Sequence, residues 1–392
     1  MREAVARPAW AEVDLDAVRH NAGVLAQAAH PAELCAVVKA NGYGLGAEAV
    51  AGAALAGGAT RLAVALVDEG VALREAGVEG PILLLSEPPP EAMADAVAHH
   101  LTPTLYTAAG VDAAAAAVGH RRPIDVELKV DTGMHRVGAA LDHAVAVAES
   151  IHGAPGLRLA GLWTHLAVAD EPANPYTAMQ LERFEQARDR LARAGIVPDH
   201  VHAANSAGAV AHPAARYDMV RCGIALYGYD PSPALAGVVD LRPALTLRAR
   251  VSHVKELDAG ERMSYGLRYA APERTVIATV PLGYADGVPR RLFDVGVPVL
   301  VGGGRRPIAG AVTMDQLLVD CGPGADVAVG DDVVLIGRQG TEAITADEWA
   351  AALGTINYEV LCGIGPRVPR VYVGEDAAAA GSGPAEVRQG VL

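Results

Sequence analysis

Eight short apolar, β-branched runs recur through about the first 230 residues of this chain, and Ala-rich stretches of helical spacing separate most of them. The runs are 34–39, 62–66, 82–85, 101–105, 124–130, 157–165, 200–205 and 219–222. The stretches at 47–55, 68–76, 90–99, 111–118, 141–152 and 179–193 tend to begin near Asp, Thr or Pro and end near Gly, as helix caps require. A helix over 14–29, with Leu15, Val18, Ala22 and Leu25 at helical spacing, precedes the first run. Strands alternating with helices ask for parallel pairing. Eight of them is the sequence form of an α/β chain folded as a (β/α)8 TIM barrel. On this pattern alone, a doubly wound sheet with fewer strands stays open.

Beyond about Leu241 the period changes from helical to two. Alternating segments at 245–251, 275–280, 297–301, 316–319 and 332–336 are separated by turn clusters such as Val301-Gly302-Gly303-Gly304-Arg305. A helix at 346–353 and a strand at 370–373 follow. The expected organisation is a barrel over 1–240, with about the first ten residues able to pack with the second domain instead. A mainly antiparallel β domain over 241–373 comes next. The small, polar stretch 374–392 is expected to be disordered. A length of 392 residues suits a barrel plus an addition.

Barrel enzymes place their chemistry at the C-terminal ends of the strands. The first run ends at Lys39, followed by the glycine-punctuated loop Asn41-Gly42-Tyr43-Gly44-Leu45-Gly46. A lysine beside a loop that can approach an anion suggests a Schiff-base lysine, although most strand-end lysines are merely solvated. The same glycines fit a dinucleotide-binding G-x-G-x-x-G/A fingerprint, with Asp68 and Glu69 at a suitable distance downstream. Against that, Tyr43 stands where backbone would meet a pyrophosphate. The other strand ends carry Asp131 with Arg136 beyond it, His165, Asn205-Ser206, and Arg221 followed by Cys222-Gly223-Ile224. The loops after strands seven and eight are the usual phosphate site of such barrels. A lysine, a phosphate cradle and a planar arginine on one rim are what pyridoxal 5′-phosphate needs.

A formal net charge of −14 with no basic run argues against nucleic acid or an anionic membrane as the main partner. The four cysteines stand singly, so neither a disulfide framework nor a cysteine zinc site is indicated. No apolar signal segment or membrane span is supported, and the cytoplasm is the expected location. His200-x-His202 puts two imidazoles on one strand face, on the seventh strand and without an acidic partner. Core or surface histidines are expected there and no metal site.

The segments AVVKANGYGLG, VELKVDTGMHRVG, HAANSAG, MVRCGIALYG, MSYGLRY, PLGYADG, TMDQ and TINYEV occur in the order seen in bacterial alanine racemases, and the chain resembles that family over all but its tail. The resemblance implies a pyridoxal 5′-phosphate-dependent homodimer that interconverts L- and D-alanine, supplying D-alanine for peptidoglycan. Lys39 would carry the cofactor and act as a base on one face of Cα. Tyr265, donated by the partner subunit, would serve the other face. Arg221 would face the pyridine nitrogen and leave the ring neutral, since an arginine keeps its own proton. Tyr43, Ser206, Gly223, Ile224 and Tyr358 would hold the phosphate, and His165 and Asn205 would lie against the ring or Arg221. Arg136 would reach the cofactor and the substrate carboxylate, Tyr284 and Met314 of the partner would line the carboxylate end, and Asp315 would shape that loop. Lys129 matches the lysine that many members carry as a carbamate. Thr313 and Leu166 depart from the common Cys and aromatic residue, which leaves substrate breadth open. The alternatives are a broader amino-acid racemase of this fold and a non-catalytic cofactor-homeostasis protein.

Overall fold

The structure, a computed structural model, describes residues 7–375. It divides into two compact units. One comprises Asp16–Gly42 and Ala47–Pro243; the other comprises the chain up to Leu15, the loop Tyr43–Gly46 and the chain from Ala244 onward. Strand β1 (Ala9–Asp14) opens the described chain as part of the second of these.

The first unit takes up helix α1 (Leu15–Ala29) and then alternates strand and helix. In order these are β2 (Glu33–Val37), α2 (Ala47–Ala56), β3 (Arg61–Val64), α3 (Val67–Glu75), β4 (Ile82–Leu84), α4 (Pro90–Ala98), β5 (Thr104–Leu105) and α5 (Ala108–Val118). Then come β6 (Ile124–Lys129), α6 (Ala144–Gly153), β7 (Leu157–Trp163), α7 (Tyr176–Arg193), β8 (His200–His202), α8 (Ser206–Ala211) and β9 (Met219–Cys222). Parallel pairing gives two runs, β9-β2-β3-β4 and β5-β6-β7-β8. A parallel bridge between Leu83 and Thr102 joins them on one side. On the other side the Asp218 amide donates to the Val201 carbonyl (3.1 Å) and the Arg221 amide to the Ala204 carbonyl (2.9 Å). The circle closes at eight parallel strands, which excludes the doubly wound sheet.

Local chemistry explains several boundaries. Pro90 occupies the first turn of α4, where its missing N–H costs nothing. The Thr107 hydroxyl caps α5 by accepting from the Gly110 amide at 2.9 Å. That cap starts the helix three residues before the periodicity places it. On β6, Val126 and Leu128 pack in one cluster with Ile151 of α6 and Phe184 of α7. Strand side chains alternate, so Glu127 and Lys129 turn to the opposite face, the barrel interior.

The second unit is mainly antiparallel. Its strands are β10 (Leu245–Arg250), β11 (His253–Leu257), β12 (Arg262–Met263), β13 (Tyr269–Ala270), β14 (Thr275–Val280), β15 (Val299–Val301), β16 (Gly304–Arg306), β17 (Leu317–Gly322), β18 (Asp332–Gln339) and β19 (Glu342–Ile344). Helices α9 (Ala346–Leu353) and α10 (Asn357–Cys362) and strand β20 (Arg370–Val373) complete it. The largest sheet runs β16-β15-β18-β10-β1-β20, with β19 on β18, and only β1–β20 pairs in parallel. A second sheet runs β11-β14-β17, and its central strand is buried throughout. The expectation for 374–392 falls, beyond Glu375, outside the described residues. Among the described residues Cys35, Cys222 and Cys321 are buried free thiols, and no helix is long and apolar enough to cross a membrane.

Candidate active site

Lys39 stands two residues past β2 and is half-buried. The backbone after it turns left-handed at five consecutive residues: Ala40 (φ 53°), Asn41 (52°), Gly42 (62°), Tyr43 (53°) and Gly44 (83°). For residues with a Cβ this costs roughly 1–2 kcal/mol each, so the turn persists only because its surroundings hold it. The Glu69 carboxylate accepts from the Ala40 amide (2.6 Å) while also receiving the Ala65 and Leu66 amides at the start of α3. The Asn41 side chain accepts from the Ala47 amide at 3.0 Å and fixes the entry to α2. Glu69, which the dinucleotide pattern would place on a ribose, is instead a brace for the turn after Lys39.

The barrel interior beside this strand end is charged. In register across β6, β7 and β8, Glu127 pairs with Gly161 and Gly161 with His200, and two residues on Lys129 pairs with Trp163 and Trp163 with His202. The Lys129 ammonium lies 4.3 Å from the centre of the Trp163 ring and the Arg221 guanidinium 4.5 Å from it. Trp163 thus supplies a π-face to two cations. Burial, then the charges of Arg221 and Arg136, push the Lys129 amine down to about 7. Arg221 is buried; its Nη1 donates to His202 Nδ1 (2.5 Å) and its Nη2 to the carbonyls of Thr164 (2.8 Å) and Ala203 (3.0 Å). Its Nη2 also lies 3.5 Å from His165 Nδ1. Burial lowers Arg221 to about 10, so it stays charged at neutral pH. N–H donors on Nε and Nη1 are left for a ligand.

His165 is held well below the usual imidazole range by burial and by the charges of Arg221, Arg136, Lys129 and Lys39, so it is neutral. Gln180 of α7 pins its backbone, donating to the His165 carbonyl at 3.0 Å while accepting from the Ala167 amide. Arg136 is exposed, in a loop shaped by Asp131, which accepts from the Gly133 and His135 amides. Asn205 caps α8 through the Gly208 amide (2.9 Å), and Arg221 draws its partners from Thr164, His165, His202 and Ala203 instead. The Ser206 hydroxyl accepts from the Gly223 amide (2.9 Å) and the Ala225 amide (3.4 Å), which binds the loops after β8 and β9 to each other. Its own O–H remains to donate. Leu166 is buried.

In the second unit, the Tyr43 and Tyr358 rings lie 6.1 Å apart, and Arg370 donates to the Gly44 carbonyl at 2.8 Å. Tyr265 is 71% exposed on a strained turn, with Ser264 at φ 60°, Gly266 at 75° and Leu267 at 48°. The Ser264 hydroxyl donates to the Ala311 carbonyl (2.8 Å). The Tyr284 and Ala285 amides donate to the carbonyls of Thr313 and Met314. The turns bearing Tyr265 and Tyr284 are therefore both bonded to one loop, 310–316, which itself carries Met314. Within it the Thr313 hydroxyl donates to the Gln316 carbonyl (2.8 Å), and Asp315 accepts from Arg367 (2.8 Å). Beneath it the buried Asp286 carboxylate receives Arg7 at 2.6 Å and the Gly283 amide at 2.9 Å.

Sequence reasoning missed Trp163, Gln180 and Glu127. The expectation that His200 and His202 lack an acidic partner is corrected: Glu127, two strands away, accepts from His200 (2.9 Å) and His202 (2.8 Å). The signal available was its position two residues before Lys129, on the same inward face.

Two family descriptions match the chain: "Alanine racemase, N-terminal domain" over residues 13–231 and "Alanine racemase, C-terminal domain" over 244–372. An alanine racemase of Symbiobacterium thermophilum is 49% identical over 373 residues, 95% of this chain and 98% of that protein. The crystal structure of alanine racemase from Bacillus anthracis with bound L-Ala-P superposes with a TM-score of 0.89 at 39% identity, covering 95% of this chain and 97% of that one. A histidine racemase from Leuconostoc mesenteroides is similar too, with a TM-score of 0.87 at 32% identity, covering 95% and 100%.

Proposed function

The chain belongs to the alanine racemase family, and from that premise we propose how its own residues interconvert L- and D-alanine. The enzyme is an isomerase dependent on pyridoxal 5′-phosphate. The donor set fits that group. A strand-end lysine, a buried arginine with N–H donors to spare, and a serine hydroxyl laid against the Gly223 amide serve the aldehyde carbon, ring nitrogen and phosphate. When bound, the cofactor supplies an electron sink that acidifies the substrate Cα–H.

Lys39 would hold the cofactor through its amine, and that amine would hold or remove a proton on one face of Cα. Tyr265 of a second copy does the same on the opposite face. Racemisation takes a proton from one side and returns one to the other, so each group is a base in one direction and an acid in the other. The Tyr265 phenol would serve as the second base because the cofactor, when bound, would acidify the Cα–H. Arg221 would donate to the pyridine nitrogen and keep its own proton, which would limit charge delocalisation and favour quick reprotonation over transamination. Ser206, Gly223, Ile224, Tyr43 and Tyr358 bind the phosphate, with His165 and Asn205 positioned around the ring end. Arg136 holds the substrate carboxylate, together with Tyr284 and Met314 of the second copy. The Lys129 amine, pushed down to about 7 by burial and neighbouring cations, adds carbon dioxide and loses a proton to solvent to become a carbamate, and that anion orients Arg136. The product supplies peptidoglycan synthesis in the cytoplasm.

The observation that supports this reading best is the clustering of Lys39, Lys129, His165, Ser206 and Arg221 at the C-terminal ends of a closed barrel. Chiral product analysis of the purified enzyme over a panel of amino acids tests it. L-alanine yielding D-alanine is the expected result, with Tyr265→Ala losing racemisation while keeping the yellow colour that Lys39→Ala loses. Retained activity in Tyr265→Ala contradicts the two-base assignment. Turnover of serine or histidine at rates near that of alanine would favour the broader racemase.

A further inference from the structure

The cluster of Glu127, His200 and His202 has no part in the reaction as described. Its geometry is specific. His202 Nδ1 accepts from Arg221 at 2.5 Å, so its Nε2 carries the proton and donates to Glu127 at 2.8 Å. Glu127 reaches His200 and His202 from two strands away, across the position of Gly161 on the intervening strand. A Cβ at Gly161 would lie 2.7 Å from the Glu127 carboxyl carbon and 2.8 Å from His200 Nε2. The missing side chain is what lets the carboxylate pass. Glu127 and His202 are fully buried, so an acceptor lost there is not replaced by bulk water.

We propose that Glu127 is a positioning residue for Arg221: its carboxylate fixes the His202 tautomer whose bare nitrogen receives the arginine, and Gly161 is the opening through which it does so. This rests on the reading that Arg221 bonds the cofactor's ring nitrogen. An imidazole with its proton on Nδ1 would present a donor to a donor and push the guanidinium out of line. The tautomer of a buried histidine follows the partner of its other nitrogen, and that partner here is Glu127. The negative carboxylate also offsets the buried charge of Arg221, two hydrogen bonds away. The three side chains have a metal site's composition, with ligand atoms within 4.8 Å of one another. A metal-bound imidazole, however, presents an N–H on its second nitrogen, and in His202 that nitrogen faces the N–H of a cation.

The test is ¹⁵N NMR of histidine-labelled holoenzyme alongside steady-state kinetics. Wild type is expected to show His202 with Nε2 protonated and Nδ1 bare. Glu127→Leu shifts that signal toward the other tautomer and lowers kcat by about tenfold to a hundredfold, with KM changing much less. Glu127→Gln, which keeps an acceptor oxygen, restores the tautomer and most of kcat, and Gly161→Ala behaves like the Leu variant. A wild-type His202 protonated on Nδ1 overturns the proposal even if no variant folds. So does a Leu variant that keeps both tautomer and kcat, or a folded Gln variant no better than Leu. Arg221→Gln is measured in parallel. If it lowers kcat where Glu127→Leu does not, the fault lies with the role of Glu127. If neither does, the assignment of Arg221 to the ring nitrogen is at fault.

Discussion

At the scale of single residues, the site works by placing charge where water is scarce. Lys129 is the clearest case. It is buried beside Arg221 and over Trp163, and its amine falls from 10.5 to about 7. Between those values the unfolded chain binds a proton that the folded chain does not, so the uncarbamylated lysine makes stability rise as pH rises from about 7 to about 10.5. Below pH 7 the buried ammonium weakens the fold to the full extent. Lys129→Met is therefore expected to flatten the pH dependence of denaturant stability over that window, measured in degassed, bicarbonate-free buffer. A slope unchanged by the substitution would contradict the depressed amine. The sequence places Lys129 at a strand end, but not over an indole between β6 and β8, because that environment is made by pairing register.

At the scale of elements, the turn after Lys39 is strained. Five left-handed residues in succession follow the strand end, and Glu69 holds the first of them by its amide. Removing that acceptor leaves the amides of Ala40, Ala65 and Leu66 to water at exposed or half-buried positions, a loss of about 1 kcal/mol. Glu69→Ala is expected to weaken cofactor retention about tenfold, read from absorbance after dialysis, while far-UV circular dichroism stays that of a barrel. Retention equal to wild type would show that the turn holds itself. The eight barrel strands and the periodic helices were legible because each repeats a local pattern of apolar spacing and caps. Strand β1 was not, although Ala9, Ala11 and Val13 alternate as buried residues. Its six residues run directly into α1, and its partners β10 and β20 come from the far end of the chain. The bond from Glu127 to His202 was hidden for a related reason: its enabling feature is an absent side chain on the strand between.

At the scale of the whole molecule, the residues assigned to substrate and proton transfer do not all lie in the barrel. Tyr265 and Met314 are 71% and 53% exposed, with Leu267 and Ile356 also uncovered on the same unit. Large exposed apolar side chains on strained, well-braced turns suit a surface that a second copy covers. The central claim is that a working site takes Lys39 from one chain and Tyr265 from another. Mixing Lys39→Ala with Tyr265→Ala under conditions that exchange subunits tests it, with D-alanine formation from L-alanine as the readout. Half the dimers of an equal mixture are mixed, and each holds one intact site, so recovery of about one quarter of wild-type activity is expected. Activity no greater than the sum of the two variants, with mixed dimers demonstrably present, would contradict it.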